Sequence, residues 1–248
     1  MKLNYKKSVM ALTMLATGLT SIFANADEPG TANGEWHHYT GDIKGSRYSS
    51  LDQINADNFE DLEMVWSFST KNLGTRAEYK LEVTPIMVDG VVYATAGTRR
   101  TAIALDGQTG ELMWLHSMRE GLRAGLAPRQ LSGRGLAYWS DGKGDDRIFY
   151  VTTGYRLVAL NAHTGIPIND FGTDGNGILD LKVGAVQGNE VQIDLVTGEI
   201  GLHSTPAVAG NLVIVGSAMK EGMTIDNYNN TKGLVRAFDA RTGEKVWQ

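Results

Sequence analysis

Ala104-Leu105-Asp106-Gly107-Gln108-Thr109-Gly110, with Trp114 four residues beyond the glycine, is a phrase that this chain uses more than once. It returns in full as Ala237-Phe238-Asp239-Ala240-Arg241-Thr242-Gly243 with Trp247. A third version, Ala159-Leu160-Asn161-Ala162-His163-Thr164-Gly165, keeps the turn but has Asn169 at the tryptophan position. An Asp or Asn side chain and a Thr hydroxyl bond nearby backbone, and Gly takes a positive φ without strain. Each copy therefore reads as a tight turn between antiparallel strands. A tryptophan at fixed spacing after the turn supplies a broad ring for docking one sheet on the next. Such self-similarity marks a modular fold whose modules are sheets.

Around each turn lies the same longer pattern. One module runs Thr84-Pro85-Ile86-Met87-Val88, a turn at Asp89-Gly90, Val91-Val92-Tyr93-Ala94, Thr101 to Leu105, the Asp-Thr-Gly turn and a strand ending at Trp114. Another runs Thr205-Pro206-Ala207-Val208, a turn at Gly210-Asn211, Leu212 to Val215, Leu234 to Phe238, the turn again and Trp247. Between them stand Gly135 to Trp139, a turn through Gly144, Arg147 to Val151 and Leu157 to Leu160. Four short strands per module is the blade of a β-propeller, so the expected class is all-β, with four-stranded antiparallel blades and Trp114 and Trp247 buried between neighbours. The longer interval between Gly165 and Gly243 predicts an insertion around Gly172 to Gly188. Inside it, Asp194-Leu195-Val196-Thr197-Gly198 imitates the turn but lacks the Ala and the Trp, and reads as an ordinary hairpin turn.

Propellers close as rings of about four to eight blades. Three clear blades and a partial one near Trp66 fall short of that, which predicts that residues 27–248 are the N-terminal part of a larger ring, in preference to a short propeller closed by oligomerisation. The first residues carry Lys2, Lys6 and Lys7, an apolar run from Val9 to Phe23, and Ala24-Asn25-Ala26. That order is a secretory signal peptide over 1–26, and Thr13, Thr17, Gly18, Thr20 and Ser21 argue against a retained membrane anchor. Cleavage would remove three lysines and no acid, taking the formal charge from −5 to −8 and leaving no transmembrane span. An acidic chain is a poor partner for nucleic acid or anionic membrane. It contains no Cys, which excludes disulfides, Cys-x-x-Cys-His haem attachment and thiolate metal sites, and is compatible with a bacterial periplasm.

Glu82, Arg134 and Glu221 stand at strand ends on the side where a propeller keeps its central channel. Ligands over such a channel take one polar group from each of several blades, and Arg with carboxylates suits an anionic cofactor beside a hard cation. From spacing alone, solvated surface residues remain the commoner explanation. His37-His38 alternate across a strand and do not point at one metal. Arg99-Arg100 and Arg119, Arg123 and Arg129 read as loop residues facing solvent, and no dinucleotide or Walker motif occurs.

Gly41-Asp42, Gly45 to Asn55, Glu82-Val83-Thr84-Pro85, Arg134 to Trp139 and the docking-Trp repeats, in that order, resemble the pyrroloquinoline-quinone (PQQ) dependent dehydrogenases. The likeness extends over the mature chain and is nearest the glucose, quinate and shikimate branch through Ile54 to Asn58 and Glu82 to Pro85. It implies an eight-bladed propeller with PQQ over the channel beside Ca2+. It further implies that Glu82 contacts the quinone, that Arg134 bonds its ring oxygens and polarises the carbonyl under attack, and that Glu221 is a calcium ligand. Ser217 falls in the loop touching the quinone edge, and His203 near a contacting Thr, with Ser204 and Thr205 as alternatives. The family's alcohol dehydrogenases stack the quinone on a disulfide of adjacent cysteines; Pro128 and Arg129 stand there in this chain. The implied activity is oxidation of a sugar, polyol or alcohol, with electrons passing to ubiquinone or cytochrome c. The catalytic Asp base is expected beyond Gln248, which leaves this segment inactive alone. A different class, the periplasmic scaffold of outer-membrane assembly lipoproteins, shares the repeat but needs a Cys at the cleavage site, where this chain has Asp27.

Overall fold

The computed structural model describes residues 30–219 and 230–248; the leader and Glu221 lie outside the described residues. Three four-stranded antiparallel sheets, each in sequential strand order, follow one another along the chain. The first holds β1 (Ile86–Val88), β2 (Val91–Ala96), β3 (Thr101–Asp106) and β4 (Leu112–His116). After a short helix α1 (Gly121–Gly125) come β5 (Ala137–Ser140), β6 (Asp146–Val151), β7 (Arg156–Asn161) and β8 (Ile178–Asp180). A small hairpin of β9 (Val186–Gln187) and β10 (Val191–Gln192) precedes the third sheet, β11 (Ala207–Ala209), β12 (Leu212–Val215), β13 (Arg236–Asp239) and β14 (Lys245–Trp247). Residues 62–70, near the expected partial blade, form no strand.

Alternation along the inner strands builds the cores, because successive side chains on a strand leave opposite faces. In β6, Ile148 and Tyr150 join Ile86, Tyr93 and Trp114 of the first sheet, whereas Phe149 and Val151 join Val213, Val215 and Phe238 of the third. Strand β7 divides likewise, with Val158 and Leu160 on one side and Leu157 and Ala159 on the other. Strands buried on both faces read as unbroken apolar runs. The outermost strand β4 instead buries only Trp114.

All three copies of the repeated phrase fold alike. Asp106 Oδ1 accepts the N–H groups of Gln108 and Thr109 and the Thr109 hydroxyl, at 3.0, 2.7 and 2.9 Å. Asn161 and Asp239 repeat this set. Gly110, Gly165 and Gly243 adopt φ of 72°, 68° and 75°. Each glycine also makes room for an aromatic ring: a Cβ on Gly110 would lie 2.5 Å from Trp66, and one on Gly165 2.6 Å from Trp114. The indole N–H completes the joint by donating to the carbonyl one residue after the Asp or Asn, from Trp66 to Gly107 (3.1 Å) and from Trp114 to Ala162 (2.8 Å).

Where the third copy lacks tryptophan, two residues divide its work. Between Pro167, which bridges Leu160, and β8, the outer strand of the second sheet makes an excursion over 169–177. Phe171 within it is fully buried and lies 3.2 Å from a Cβ built on Gly243. Arg147 donates to the carbonyls of Ala240 (3.0 Å) and Arg241 (2.7 Å), and Asp145 holds its guanidinium through two bonds of 2.7 Å. The hydrogen bond of the indole has passed to a guanidinium and its ring to a phenyl.

Two expectations fail here. Trp247 is not buried: it is 42% exposed on β14, beside Val246 and Val235, which are also exposed. No other sheet covers it among the described residues, so only three of the four rings have a turn beneath them. Asp194 to Gly198 does form the turn's hydrogen bonds. The strands on either side, β10 and β11, do not pair with each other, however, so it is not a hairpin. Its carbonyls at Val196 and Gly198 receive the buried Lys182 ammonium at 3.1 and 2.8 Å, and burial lowers that lysine's pKa to about 8.

Two outcomes test the joints. Gly165 and Gly142 share φ near 69°, but only Gly165 has a ring against it. Gly165→Ala is expected to cost at least about 1 kcal/mol more than Gly142→Ala in urea unfolding, the excess measuring the displaced indole. Arg147→Met leaves the Ala240 carbonyl buried without a donor and is expected to cost about 1–3 kcal/mol by the same measurement.

Candidate functional site

Glu82, Arg134 and His203 occupy equivalent places, each just ahead of the first strand of its sheet. Backbone bonds tie these three entry segments together: Thr84 N–H donates to Arg134 C=O (3.1 Å), and Arg134 N–H donates to His203 C=O (3.0 Å). The approach is close enough to require Gly135, where φ is 131° and a Cβ would lie 2.9 Å from the Thr84 carbonyl. Ser217 follows β12, and its hydroxyl accepts the Leu234 N–H at 2.7 Å. Neighbouring Ala218 pairs with Gly201 through two backbone bonds, bringing the Ser217 loop beside His203. The sheets therefore deliver Glu82, Arg134, His203 and Ser217 to one cavity of about 760 Å³, whose wall also includes Lys80, Pro128 and Arg129. That volume suits a small organic ligand. Glu221 falls outside the described residues.

Charge in the cavity leans positive, with Lys80, Arg129 and Arg134 against the carboxylate of Glu82. Glu82 binds the His203 imidazole at 2.5 Å and the Lys80 ammonium at 3.1 Å. The histidine bond first, and Lys80 second, hold its carboxyl below the usual glutamate value. Arg134 donates from Nη1 to the Tyr39 hydroxyl at 3.2 Å, which with the nearby Glu82 raises its guanidinium further. With Nε2 on Glu82, Nδ1 of His203 is buried and has no partner. A buried polar atom left unbonded is costly, and beside a cavity it is an available contact for a ligand group.

Among the arginines expected to face solvent, Arg119 is exposed, but Arg100 and Arg123 are 2% and 4% exposed. Arg123 forks Asp180 at 2.7 and 2.6 Å and donates to Gly154 C=O at 2.6 Å. Arg100 donates to Leu131 C=O, in the cavity wall, at 3.1 Å. A guanidinium spends its donors on carbonyls of segments distant in sequence, a pairing that leaves no periodic mark. Tyr39, whose partner Arg134 lies 95 positions on, was missed for the same reason, and Lys80, two residues from Glu82, belongs to no motif. Arg129 was placed by its count back from Arg134 and does line the cavity.

A family model for the PQQ-containing glucose/ethanol/alcohol dehydrogenase β-propeller domain matches residues 36–248. Quinoprotein glucose dehydrogenase of Gluconobacter oxydans is 29% identical over 90% of this chain, and quinate/shikimate dehydrogenase (quinone) of Acinetobacter baylyi is 27% identical over 89%. This chain spans 28% of the length of each of those relatives. The solved quinohemoprotein alcohol dehydrogenase of Comamonas testosteroni superposes with a TM-score of 0.65 at 27% identity, over 88% of this chain and 27% of that one. A repeat of docked four-stranded sheets, a cavity where three of them begin, and a family match over nearly all the described residues together mean that the chain belongs to the β-propeller family of the PQQ-dependent glucose, ethanol and alcohol dehydrogenases.

Proposed function

We propose that the cavity is a PQQ site and that the whole protein is a quinoprotein dehydrogenase oxidising a sugar, polyol or alcohol. The observation that carries this reading is the convergence of Glu82, Arg134, His203 and Ser217, from three sheets, on one cavity. The residues present fit such a group. A polycarboxylate quinone suits a wall with more cations than carboxylates, and the unpartnered His203 Nδ1 offers it a further polar contact.

When bound, the quinone supplies two-electron oxidation of a carbon bearing a hydroxyl. The chain's own residues bind and orient. Arg134, fixed at its peptide by Thr84 and His203 and at its guanidinium by Tyr39, keeps a positive charge directed into the cavity at every working pH. Such a preorganised donor stabilises negative charge developing on a ring oxygen without rearranging. Glu82, an ionised carboxylate bonded by His203 and Lys80, is an acceptor for a cofactor hydroxyl or N–H and a hard ligand for a cation. Ca2+ with Glu221 as ligand, Ser217 at the cofactor edge, a periplasmic location through a leader over 1–26, and ubiquinone or cytochrome c as acceptor belong to the same proposal. So do a larger ring and a catalytic Asp supplied by further blades.

Two measurements test it. In the full-length protein, Arg134→Ala is expected to lower kcat/KM for PQQ-dependent oxidation about 100-fold or more, whereas exposed Arg119→Ala changes it less than about twofold. Equal effects would refute the role of Arg134. The second concerns pH. Glu82 has a depressed pKa, so its ionised form, and any affinity that depends on it, is present above that value and lost as pH falls through it. His203→Ala removes the largest cause of the depression, so the acid limb of PQQ affinity is expected to move to higher pH; an unmoved limb would dissociate Glu82 from cofactor binding.

A further inference from the structure

Arg100 stands in the turn between β2 and β3 with φ of 52°, 2% exposed, and no carboxylate bonds it among the described residues. Its guanidinium works on carbonyls instead. Nε donates to Leu131 at 3.1 Å, and Nη1 donates to Leu202 at 2.8 Å and to Val151 at 3.1 Å. These acceptors come from three places: the segment entering the second sheet, the end of β6, and the segment entering the third sheet. Leu131 and Leu202 both line the cavity, shortly before Arg134 and immediately before His203. Gly133 lies flat on the guanidinium, where a Cβ would come within 2.9 Å of Nε. Alongside, Glu78 accepts the N–H of Gly97 (3.0 Å) and of Ser132 (2.8 Å), joining the same turn to the same segment.

A buried cation is costly and is kept only where its donors are met, and the charges of Glu120 and Glu78 nearby oppose the effect of burial. Burial lowers the pKa of Arg100 to about 10, which still leaves it charged at neutral pH. Residues 126–136 carry no strand, so no ladder fixes their shape. Packing alone would be served as well by an apolar side chain; a planar fork with five donors can hold three backbone segments, two of the second sheet and one of the third, at once.

We infer that Arg100 is a positioning residue for the cavity, tying the Leu131 and Leu202 segments of its wall to the first sheet so that Arg134 and His203 face a site of fixed shape. The part of this that concerns ligand affinity rests on the PQQ reading above; the part that concerns the wall does not.

The experiment compares Arg100→Met, Arg100→Lys and Arg236→Met with the unaltered full-length protein. Arg236 is a matched control, 3% exposed and donating to the carbonyls of Leu181 and Val183, neither of which lines the cavity. Hydrogen–deuterium exchange is read over 129–134 and 202–204, and PQQ affinity by titration with PQQ itself. Arg100→Met is expected to raise exchange in both segments and to weaken PQQ about tenfold, Arg100→Lys to fall between it and the unaltered protein, and Arg236→Met to leave both readouts within about twofold. Exchange in the two segments no higher for Arg100→Met than for Arg236→Met would overturn the inference, as would unaltered PQQ affinity. If Arg100→Met does not fold, Arg100→Lys decides, and unchanged exchange in it is the refuting result. Should the unaltered protein bind no PQQ, the cofactor reading falls, and the exchange comparison alone still decides the role of Arg100.

Discussion

An aromatic ring seated on the glycine of the next sheet's turn is the contact from which the rest of this structure follows. The Asp-x-x-Thr-Gly turn satisfies its own backbone through one carboxylate and one hydroxyl, so its glycine can present a bare Cα to the neighbour. A ring then covers it, and an indole N–H takes up the one carbonyl that the turn leaves pointing at the seam. Burial and hydrogen bonding are thus solved by a single side chain. Sheets joined this way stack at a set distance and rotation, because the ring fixes separation and the N–H fixes register.

That stacking brings the beginnings of successive sheets together at one end. The site needs nothing more elaborate than three chain segments arriving side by side, with the peptide of Arg134 bonded to the segments on either hand. Side chains one position from those bonds inherit the precision of the scaffold, although they stand on irregular backbone. Within the site, the His203 bond first and Lys80 second hold the Glu82 carboxyl below the usual glutamate value.

Much of the architecture was legible in sequence because it is local and periodic. Strands, turns and the docking of Trp114 follow from a phrase whose chemistry completes itself within a few residues. Glu82 and Arg134, ahead of Ile86 and Ala137, could be picked out as strand-end polar groups, whereas Pro128, Arg129, His203 and Ser217 came from resemblance. What stayed hidden depends on partners remote in the chain. Arg100, Arg123 and Arg147 look like ordinary surface arginines until carbonyls about thirty to a hundred positions away are placed against them. Phe171 was equally silent, since it reaches Gly243 from an excursion that breaks the spacing of the repeat. The pattern names Trp247 as a docking ring but supplies no turn beneath it, and the ring is exposed beside Val235 and Val246.

The seam between the second and third sheets carries one more consequence. Repeated sheets of near-identical pattern invite pairing with the wrong neighbour during folding, a hazard of repeat architectures. Arg147, clamped by Asp145, bonds two consecutive carbonyls where an indole N–H takes one, while Trp139 lies under both Arg147 and Arg241. Replacing the indole by a guanidinium and a phenyl therefore makes this joint chemically unlike its fellows. A wrong neighbour would have to accept a guanidinium and a phenyl where it normally takes an indole, so the difference between the joints disfavours the wrong order of sheets.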